Sequence, residues 1–283
     1  MLKKRVALVL IILLFLMIVY LITGLDNSLV VTHYTITDSS LPEGFDGFVI
    51  VQLSDLHGAR FGDDQKDIIR LVQNENPDIV LLTGDMIDSK ELYSEPAIEL
   101  VSGLSEFFNV YAVTGNHEID ILRRNTNFYN ESYAQLIAAG MIDLDNSSVI
   151  FGKNGDFIRI CGFADPRDVK TNQELIKRFN NNISSLYYPE TYNILLLHRA
   201  NLAEWVRNKE FNVIFSGDNH GGQIRLPLVG GVISEDRSLF PKYDSGVYKL
   251  DDSFLIVNRG LGNTKMLPRI HNPPEVVVVT LKR

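Results

Sequence analysis

Five short polar motifs carry the residue types that could do chemistry in this 283-residue sequence, and each directly follows an apolar run. Four of the six histidines of the chain fall within them, together with several aspartates. The motifs are Asp55-Leu56-His57, Gly84-Asp85-Met86-Ile87-Asp88, Gly115-Asn116-His117-Glu118, His198 and Gly217-Asp218-Asn219-His220. Carboxylate, amide and imidazole side chains without a thiolate are ligands of Mn, Fe, Zn or Mg, so together the motifs predict a metal site.

The apolar runs before these motifs predict strands, which must position the polar residues. The runs are Phe48–Leu53, Ile79–Leu82, Val110–Val113, Ile194–Leu197 and Val213–Phe215. They are continuous rather than alternating, which is typical of short strands buried on both faces. Each motif alone has a simpler explanation, such as a turn aspartate or a hydrogen-bonded core histidine. Because ligands bind beyond the carboxyl ends of strands in α/β sheets, we expect the five motifs to converge in one crevice.

The rest of the sequence predicts further elements of one α/β domain. Apolar residues at helical spacing predict helices over residues 64–76, 95–107 and 131–139, and apolar runs predict late strands over 247–250, 254–257 and 276–281. Strands that alternate with helices favour sheets covered by helices. His33 and His271 lie outside the motif pattern and are expected to be structural or exposed.

The N-terminal region predicts a membrane anchor. Val6–Thr23 contains eighteen residues without a charge, and such a helix is about 27 Å long, close to the thickness of a bilayer core. A cleaved signal peptide is the open alternative. Since Lys3, Lys4 and Arg5 should stay in the cytoplasm, the rest of the chain is expected outside it. The predicted division is a basic end, anchor and linker over 1–31 and one domain over 32–283.

Composition narrows the classes of partner. The whole chain has 35 acidic and 27 basic side chains and a net charge of −8, of which the first 24 residues hold +3 and the remainder −11. An acidic body argues against a nucleic-acid surface, which depends on Lys and Arg. The single cysteine, Cys161, excludes an intramolecular disulfide and a cysteine-built zinc site. If the body lies outside the cytoplasmic membrane, its lack of disulfides fits a bacterial protein better than a protein of the eukaryotic secretory route.

The ordered set of five motifs resembles the calcineurin-like metallophosphoesterases, and the resemblance covers about residues 47–283. It implies a β-sandwich of two mixed sheets flanked by helices, with two divalent metal ions at the strand ends. The runs Gly221–Pro227 and Leu267-Pro268-Arg269 resemble the bacterial membrane-anchored branch, named after phosphodiesterases and UDP-diacylglucosamine pyrophosphatases. The implied activity is hydrolysis of a phosphodiester, pyrophosphate or phosphomonoester by a metal-activated water.

The resemblance also implies a role for each matching residue. The implied ligands are Asp55, His57 and His220 for the first ion, Asp85 for both ions, and Asn116, His198 and Asp218 for the second. Asp218 departs from the family, which has a histidine there. A carboxylate oxygen is a harder donor than imidazole and favours Mn, with Mg, Fe and Zn as alternatives. The other interpretation is that Asp218 only hydrogen-bonds a neighbour.

Two further residues resemble the acid–base pair of the family. His117 corresponds to the histidine that protonates the leaving oxygen, and Asp88 to the carboxylate that orients its ring. The alternative for His117 is simple packing. Ser89 stands where the Ser/Thr protein phosphatases have arginine, so that branch is disfavoured.

The anchor favours a lipid-linked phosphoester as substrate, because it keeps the site near lipid headgroups. Two other functions stay open at this point. One is a phosphomonoesterase or nucleotidase acting on extracellular nucleotides. The other is a non-catalytic metal-binding module on the membrane, although both His117 and Asp85 are present.

Overall fold

A computed structural model describes residues 2–166, 172–183, 185–207, 209–234, 238–263 and 268–283. Leu267, one residue of the predicted branch motif, lies outside them. The strands are β1 Val30–Thr37, β2 Val49–Leu53, β3 Ile79–Leu82, β4 Asn109–Ala112, β5 Met141–Asp143, β6 Ser147–Lys153, β7 Asp156–Phe163, β8 Tyr192–Arg199, β9 Val213–Gly217, β10 Arg225–Leu226, β11 Gly230–Gly231, β12 Gly246–Leu250, β13 Ser253–Val257 and β14 Glu275–Lys282. The α-helices are α1 Leu2–Thr23, α2 Lys66–Glu75, α3 Glu95–Ser105, α4 Asn116–Arg124, α5 Thr126–Ala138, α6 Asn172–Ile183 and α7 Ala203–Val206.

Twelve of these strands form two six-stranded sheets. The order is β1-β14-β2-β3-β4-β5 in the first and β12-β13-β9-β8-β7-β6 in the second. The central strands run parallel, whereas β14 runs antiparallel to β2, β12 to β13 and β6 to β7. Both sheets are therefore mixed, and the predicted α/β sandwich is confirmed.

The two sheets face each other across one apolar core. Successive side chains of a strand point to opposite faces, and β3 shows the result clearly. Ile79 and Leu81 lie in the core between the sheets, while Val80 and Leu82 lie in a second core under the helices. This explains why the run is apolar at every position.

Helices cover the outer face of each sheet. On the first sheet, Ile68 of α2 and Leu100 of α3 belong to the outer core. On the second sheet, Phe179 of α6 and Val206 of α7 pack with alternate residues of β8 and β9. With both faces buried, the only open part of a central strand is its end.

Several elements differ from the sequence-based prediction. Strand β8 is longer than predicted and contains His198, which therefore lies in the strand rather than after it. Helix α5 begins at Thr126, five residues before the predicted start. The hairpin of β6 and β7 and the strand β1 were not predicted at all. Residue 32, the predicted domain boundary, falls inside β1, and the division itself stays a prediction.

Helix α1 stands apart from the two cores. In the part of the chain that the structure describes, it is the one helix long and apolar enough to cross a membrane, and none of its spanning window is buried. At about 1.5 Å per residue its 22 residues are about 33 Å long. Its far end contacts the domain near His271.

Candidate metal centre

The predicted motifs meet where the carboxyl ends of the two sheets come together. The loops after β2, β3 and β4 leave the first sheet, and His198 and the loop after β9 belong to the second. Beneath them, the buried amide of Gln52 donates to Thr83 Oγ1 and to the carbonyl of Ser216, both at 2.9 Å. The hydrogen bond to Ser216, which lies in β9, joins the two sheets directly under the site.

The backbone at the site is unusual. Five of the nine predicted site residues have a positive φ between 45° and 74°, a conformation that favours glycine: Asp55, His57, Asp85, Asp218 and His220. Such residues cost about 1–3 kcal/mol each and cluster at functional sites. Gly115 shows how close the loops approach, because a Cβ there would lie 2.2 Å from Asp85 Oδ1.

Three imidazoles and two carboxylates form the buried centre. His57 Nε2 lies 3.2 Å from His220 Nε2 and 3.7 Å from Asp85 Oδ2. His220 Nε2 lies 3.6 Å from Asp55 Oδ1, and His198 Nε2 lies 3.3 Å from Asp85 Oδ2. The potential ligand atoms of Asp55, His57 and His220 lie within 4.8 Å of one another, as do those of Asp55, Asp85 and His198. These are two adjacent groups that share one aspartate.

The two other predicted ligands border the second group. Asn116 Oδ1 lies 3.2 Å from His198 Nε2, and Asp218 Oδ1 lies 3.6 Å from the same nitrogen. The Asp218 backbone N–H donates to Asp55 Oδ1 at 3.2 Å, and the Asp218 side chain is 16% exposed. The fold therefore brings all seven predicted ligand residues into one site, with Asp218 on its solvent side. Their assignment as ligands remains a prediction.

The chemistry of the site fits divalent cations. Asp85 Oδ2 and His57 Nδ1 are buried and have no hydrogen-bond partner among the described residues, which is costly for a carboxylate. Burial disfavours a charged ring at His198, yet Asp85 outweighs this and raises the pKa of His198 well above its usual range. The surrounding carboxylates thus favour positive charge at this place, as a bound cation would supply.

Neighbouring groups orient two of the imidazoles. His198 Nδ1 lies 2.7 Å from the Thr83 carbonyl, so Nδ1–H donates and Nε2 faces Asp85. Loss of the Nε2 proton when a cation binds would leave the tautomer that a metal-binding histidine needs. His220 Nδ1 lies 3.2 Å from Arg269 Nη2, and burial lowers the pKa of the Arg269 guanidinium to about 10. No sequence signal links Arg269 to His220, since they are 49 positions apart.

His117 and Asp88 form a third group beside the centre. His117 Nδ1 lies 3.6 Å from Asp88 Oδ2, and it accepts a hydrogen bond from the Ser89 N–H at 3.0 Å. The other Asp88 oxygen accepts from the N–H groups of Lys90 and Glu91. Since Nδ1 is an acceptor, the proton of the neutral His117 ring is on Nε2. The direct partner of Nδ1 is therefore the Ser89 amide, a contact that the sequence did not predict.

Glu118 holds the second and third motifs together, a role that the sequence reasoning missed. Its carboxylate accepts from the backbone N–H groups of Asp85, Ile87 and Gly115 at 2.8–2.9 Å. Burial, with Asp85 nearby, raises the pKa of Glu118 to about 7. A glutamate three residues after a helix-capping residue is a known signature of a helix start and was available in the sequence.

We expect Glu118→Ala to lower the free energy of unfolding by about 3 kcal/mol, because three buried N–H groups lose their acceptor. For a domain of this size, Tm should fall by about 6 °C or more. Thermal unfolding of the full chain in detergent measures this. Glu118→Gln should lose less, since its amide oxygen can still accept. A change in Tm below about 2 °C for Glu118→Ala would contradict the role.

Comparison with known proteins identifies the family. The sequence profile of the calcineurin-like phosphoesterases matches residues 48–222, and the chain belongs to this family. The metallophosphoesterase YkuE of Bacillus subtilis is 30% identical over 258 residues, 89% of this chain and 85% of the relative. The phosphodiesterase YaeI of Escherichia coli is 26% identical over 239 residues, 83% and 82% of the two chains. The UDP-2,3-diacylglucosamine pyrophosphatase LpxG of Chlamydia muridarum is 27% identical over 300 residues, 86% and 87% of the two.

These findings confirm the predicted family and its bacterial branch. The chain is thus a hydrolase that acts on phosphoric ester bonds, and its family uses divalent metal ions.

Proposed function

We propose that this chain is a membrane-anchored, dinuclear metallophosphoesterase that hydrolyses a phosphodiester or pyrophosphate in a lipid-linked substrate. Asp55, His57 and His220 would hold the first ion and Asp85 both ions. Asn116, His198 and Asp218 would hold the second, with Mn as the favoured metal. The observation that carries the proposal is the buried meeting of His57, His198 and His220 with Asp55 and Asp85 at 3.2–3.7 Å.

Each group of site residues would have a separate role in hydrolysis. Bound divalent ions would supply an activated water and positive charge for the phosphate oxygens. Asp55, Asp85 and Asp218 contribute three negative charges that hold such ions in an otherwise anion-repelling site. His117, when both of its ring nitrogens are protonated, would donate the Nε2 proton to the leaving oxygen and become neutral. Asp88 would stabilise the ring when it is charged, because its Oδ2 lies 3.6 Å from His117 Nδ1.

The anchor is the main support for a lipid-linked substrate. Helix α1 is long and apolar enough to span a bilayer, and Lys3, Lys4 and Arg5 favour a cytoplasmic N-terminus with the domain outside. Two relatives with a phosphodiesterase and a UDP-2,3-diacylglucosamine pyrophosphatase in their names agree with diester or pyrophosphate cleavage. The acidic body supports no nucleic-acid partner.

The full chain in detergent, reconstituted with Mn, tests the proposal on an aryl phosphomonoester, an aryl phosphodiester and a nucleotide-sugar pyrophosphate. We expect the diester or pyrophosphate to be cleaved faster than the monoester, and chelation to abolish cleavage. Faster cleavage of the monoester would favour a phosphomonoesterase. Failure to cleave any of the three with metal bound would favour a binding module.

Asp218→His tests the departure from the family pattern. If Asp218 is a ligand, its replacement by imidazole should shift the preference from Mn toward Zn, because imidazole is the softer donor. Metal analysis after dialysis against equal Mn and Zn measures the ratio. Asp251→His, at an exposed side chain of the β12–β13 turn, is the control and should change nothing. An unchanged ratio and unchanged metal content in Asp218→His would rule out the ligand role.

A further inference from the structure

Five large apolar side chains are exposed in two turns that follow the His220 loop. Their exposed fractions run from 40% to 108%. We call them the apolar hairpin surface: Leu226, Leu228, Val229, Leu239 and Phe240. Large apolar side chains grouped in this way are unfavourable in water and mark interaction sites.

The two turns belong to one hydrogen-bonded unit. Strand β10 pairs with β11 through Arg225 and Gly231. The Val232 N–H donates to the Ile224 carbonyl, and the Phe240 N–H donates to the Val232 carbonyl, both at 2.8 Å. The apolar hairpin surface is thus carried by a connected ladder rather than by independent loops.

Two residues of this surface also have a strained backbone. Leu228 has a φ of 66° and Phe240 a φ of 53°, a left-handed conformation that L-residues with large side chains rarely adopt. Glycine or asparagine would be less costly at both positions. Leu228 is fully exposed and Phe240 is more than half exposed, so the packing of this domain gives little return for the strain at these residues, which favours a role in binding something outside it.

The surface begins where the N-terminal helix meets the domain. The Tyr20 ring lies 4.1 Å from the His271 ring, His271 Nε2–H donates to the Tyr20 carbonyl at 2.8 Å, and the Tyr20 hydroxyl donates to the Arg225 carbonyl. Arg225 directly precedes Leu226. Tyr20 lies three residues before the end of α1 at Thr23, which is about 4.5 Å along the helix. If α1 spans a bilayer, the base of the hairpin stands at its interface, where tyrosine is enriched.

The end of α1 packs tightly on residues 270–272, and these residues also contact the His220 loop. Gly24 is buried, and a Cβ there would lie 2.6 Å from both His271 and Ile270. The His271 N–H donates to the Gly24 carbonyl at 2.8 Å. The next residue, Asn272, donates from Nδ2 to the His220 carbonyl at 2.6 Å. The consecutive residues His271 and Asn272 therefore connect the end of α1 with the His220 loop.

A cavity of about 240 Å³ lies on this side of the domain. Asn27 of the linker lines it together with Arg60, Phe61, Gly262 and Arg269. Of these lining residues, Arg269 also contacts His220.

We propose that the apolar hairpin surface inserts into the headgroup region of the same bilayer that α1 spans. The domain would then be held at two points, with its metal site close to the lipid. This inference rests on the proposed membrane anchor. The bilayer is the occupant because the surface starts one residue after the carbonyl that bonds Tyr20. Amphipathic helices at the interface bury their apolar face by about 5–10 Å, and we expect a comparable depth for this surface.

Site-specific fluorescence in proteoliposomes of the full chain tests the proposal. The native Cys161 is buried, and burial raises the pKa of its thiol to about 12, so an environment-sensitive thiol dye reports only an introduced cysteine. Leu228→Cys and Phe240→Cys probe the surface. Phe107→Cys is the matched control, because Phe107 and Phe240 are both 58% exposed. Phe107 lies before the N-terminal end of β4, whereas the metal site lies beyond the C-terminal end of that strand.

We expect lipids with a nitroxide near the headgroup to quench the dye at positions 228 and 240 at least about threefold more than at position 107. Aqueous iodide should show the reverse order. Equal quenching at all three positions, in chains that stay in the membrane after a carbonate wash, would contradict insertion of the apolar hairpin surface. It would not contradict membrane anchoring by α1. Release of the chain by the carbonate wash would contradict both membrane anchoring by α1 and insertion of the apolar hairpin surface.

Discussion

Asp85→Ala is expected to remove both divalent ions and to lower turnover by about a thousandfold or more. Asp85 belongs to the second group of potential ligands and also approaches the first, with Oδ2 at 3.3 Å from His198 Nε2 and 3.7 Å from His57 Nε2. If Asp85 binds both ions as proposed, its loss should empty both positions rather than one. Metal content and turnover of a phosphodiester, measured on the same preparation, give the result.

The control for this variant is Asp78→Asn, at the other end of the same strand. Asp78 precedes β3 and binds the Val49 N–H and Lys153, so it tests the loss of a carboxylate charge away from the centre. We expect normal metal content and near-normal turnover from Asp78→Asn. Retention of two ions per chain by Asp85→Ala would contradict a bridging role.

His117→Ala should keep both ions and lose about 10²–10⁴-fold in turnover. His117 is not in the predicted ligand set, and its Nε2 carries the proton because Nδ1 accepts from the Ser89 N–H. A general acid matters most when the leaving group is a poor one. The loss should therefore be much larger for an alkyl ester than for a nitrophenyl ester, a pattern that a packing defect would not produce.

His33→Ala is the matched control for this variant. His33 is an exposed histidine that contacts Glu75, away from the metal centre. Its replacement should leave turnover unchanged with both esters. If His117→Ala stays within a few-fold of the wild-type turnover for the alkyl ester, the acid role is wrong, whatever its metal content.

The positions of the motif-bearing strands were predictable because they depend on local pattern. The observed bounds of β3, Ile79–Leu82, match the prediction, and β2 and β4 differ by one residue. Strands buried on both faces are apolar at every position, and short polar loops mark their ends. The convergence of the motifs followed from the rule that ligands bind at the carboxyl ends of such strands.

Elements with one exposed face escaped prediction. The residues of β6 are exposed or half-buried throughout, and only the second half of β7 is continuously buried. Asn154-Gly155 at the turn of this hairpin was an available signal. Strand β1 is only partly buried and is held by parallel pairing with β14 at the other end of the chain. Its β-branched residues, in the run VVTHYTIT, were a signal available in the sequence.

The sequence alone determined the family, the α/β class, the membrane-length helix and the set of polar residues at the strand ends. These are properties of residue type and spacing over short stretches. The tertiary structure decided how those residues are held: the tautomer of His198 through Thr83, the bracing of Asp85 by Glu118, and the contact of Arg269 with His220. It also decided that the end of α1 packs on His271 beside the metal loop. Such contacts join positions far apart in the chain. They depend on which surfaces meet after folding, so they cannot be predicted from the local sequence pattern.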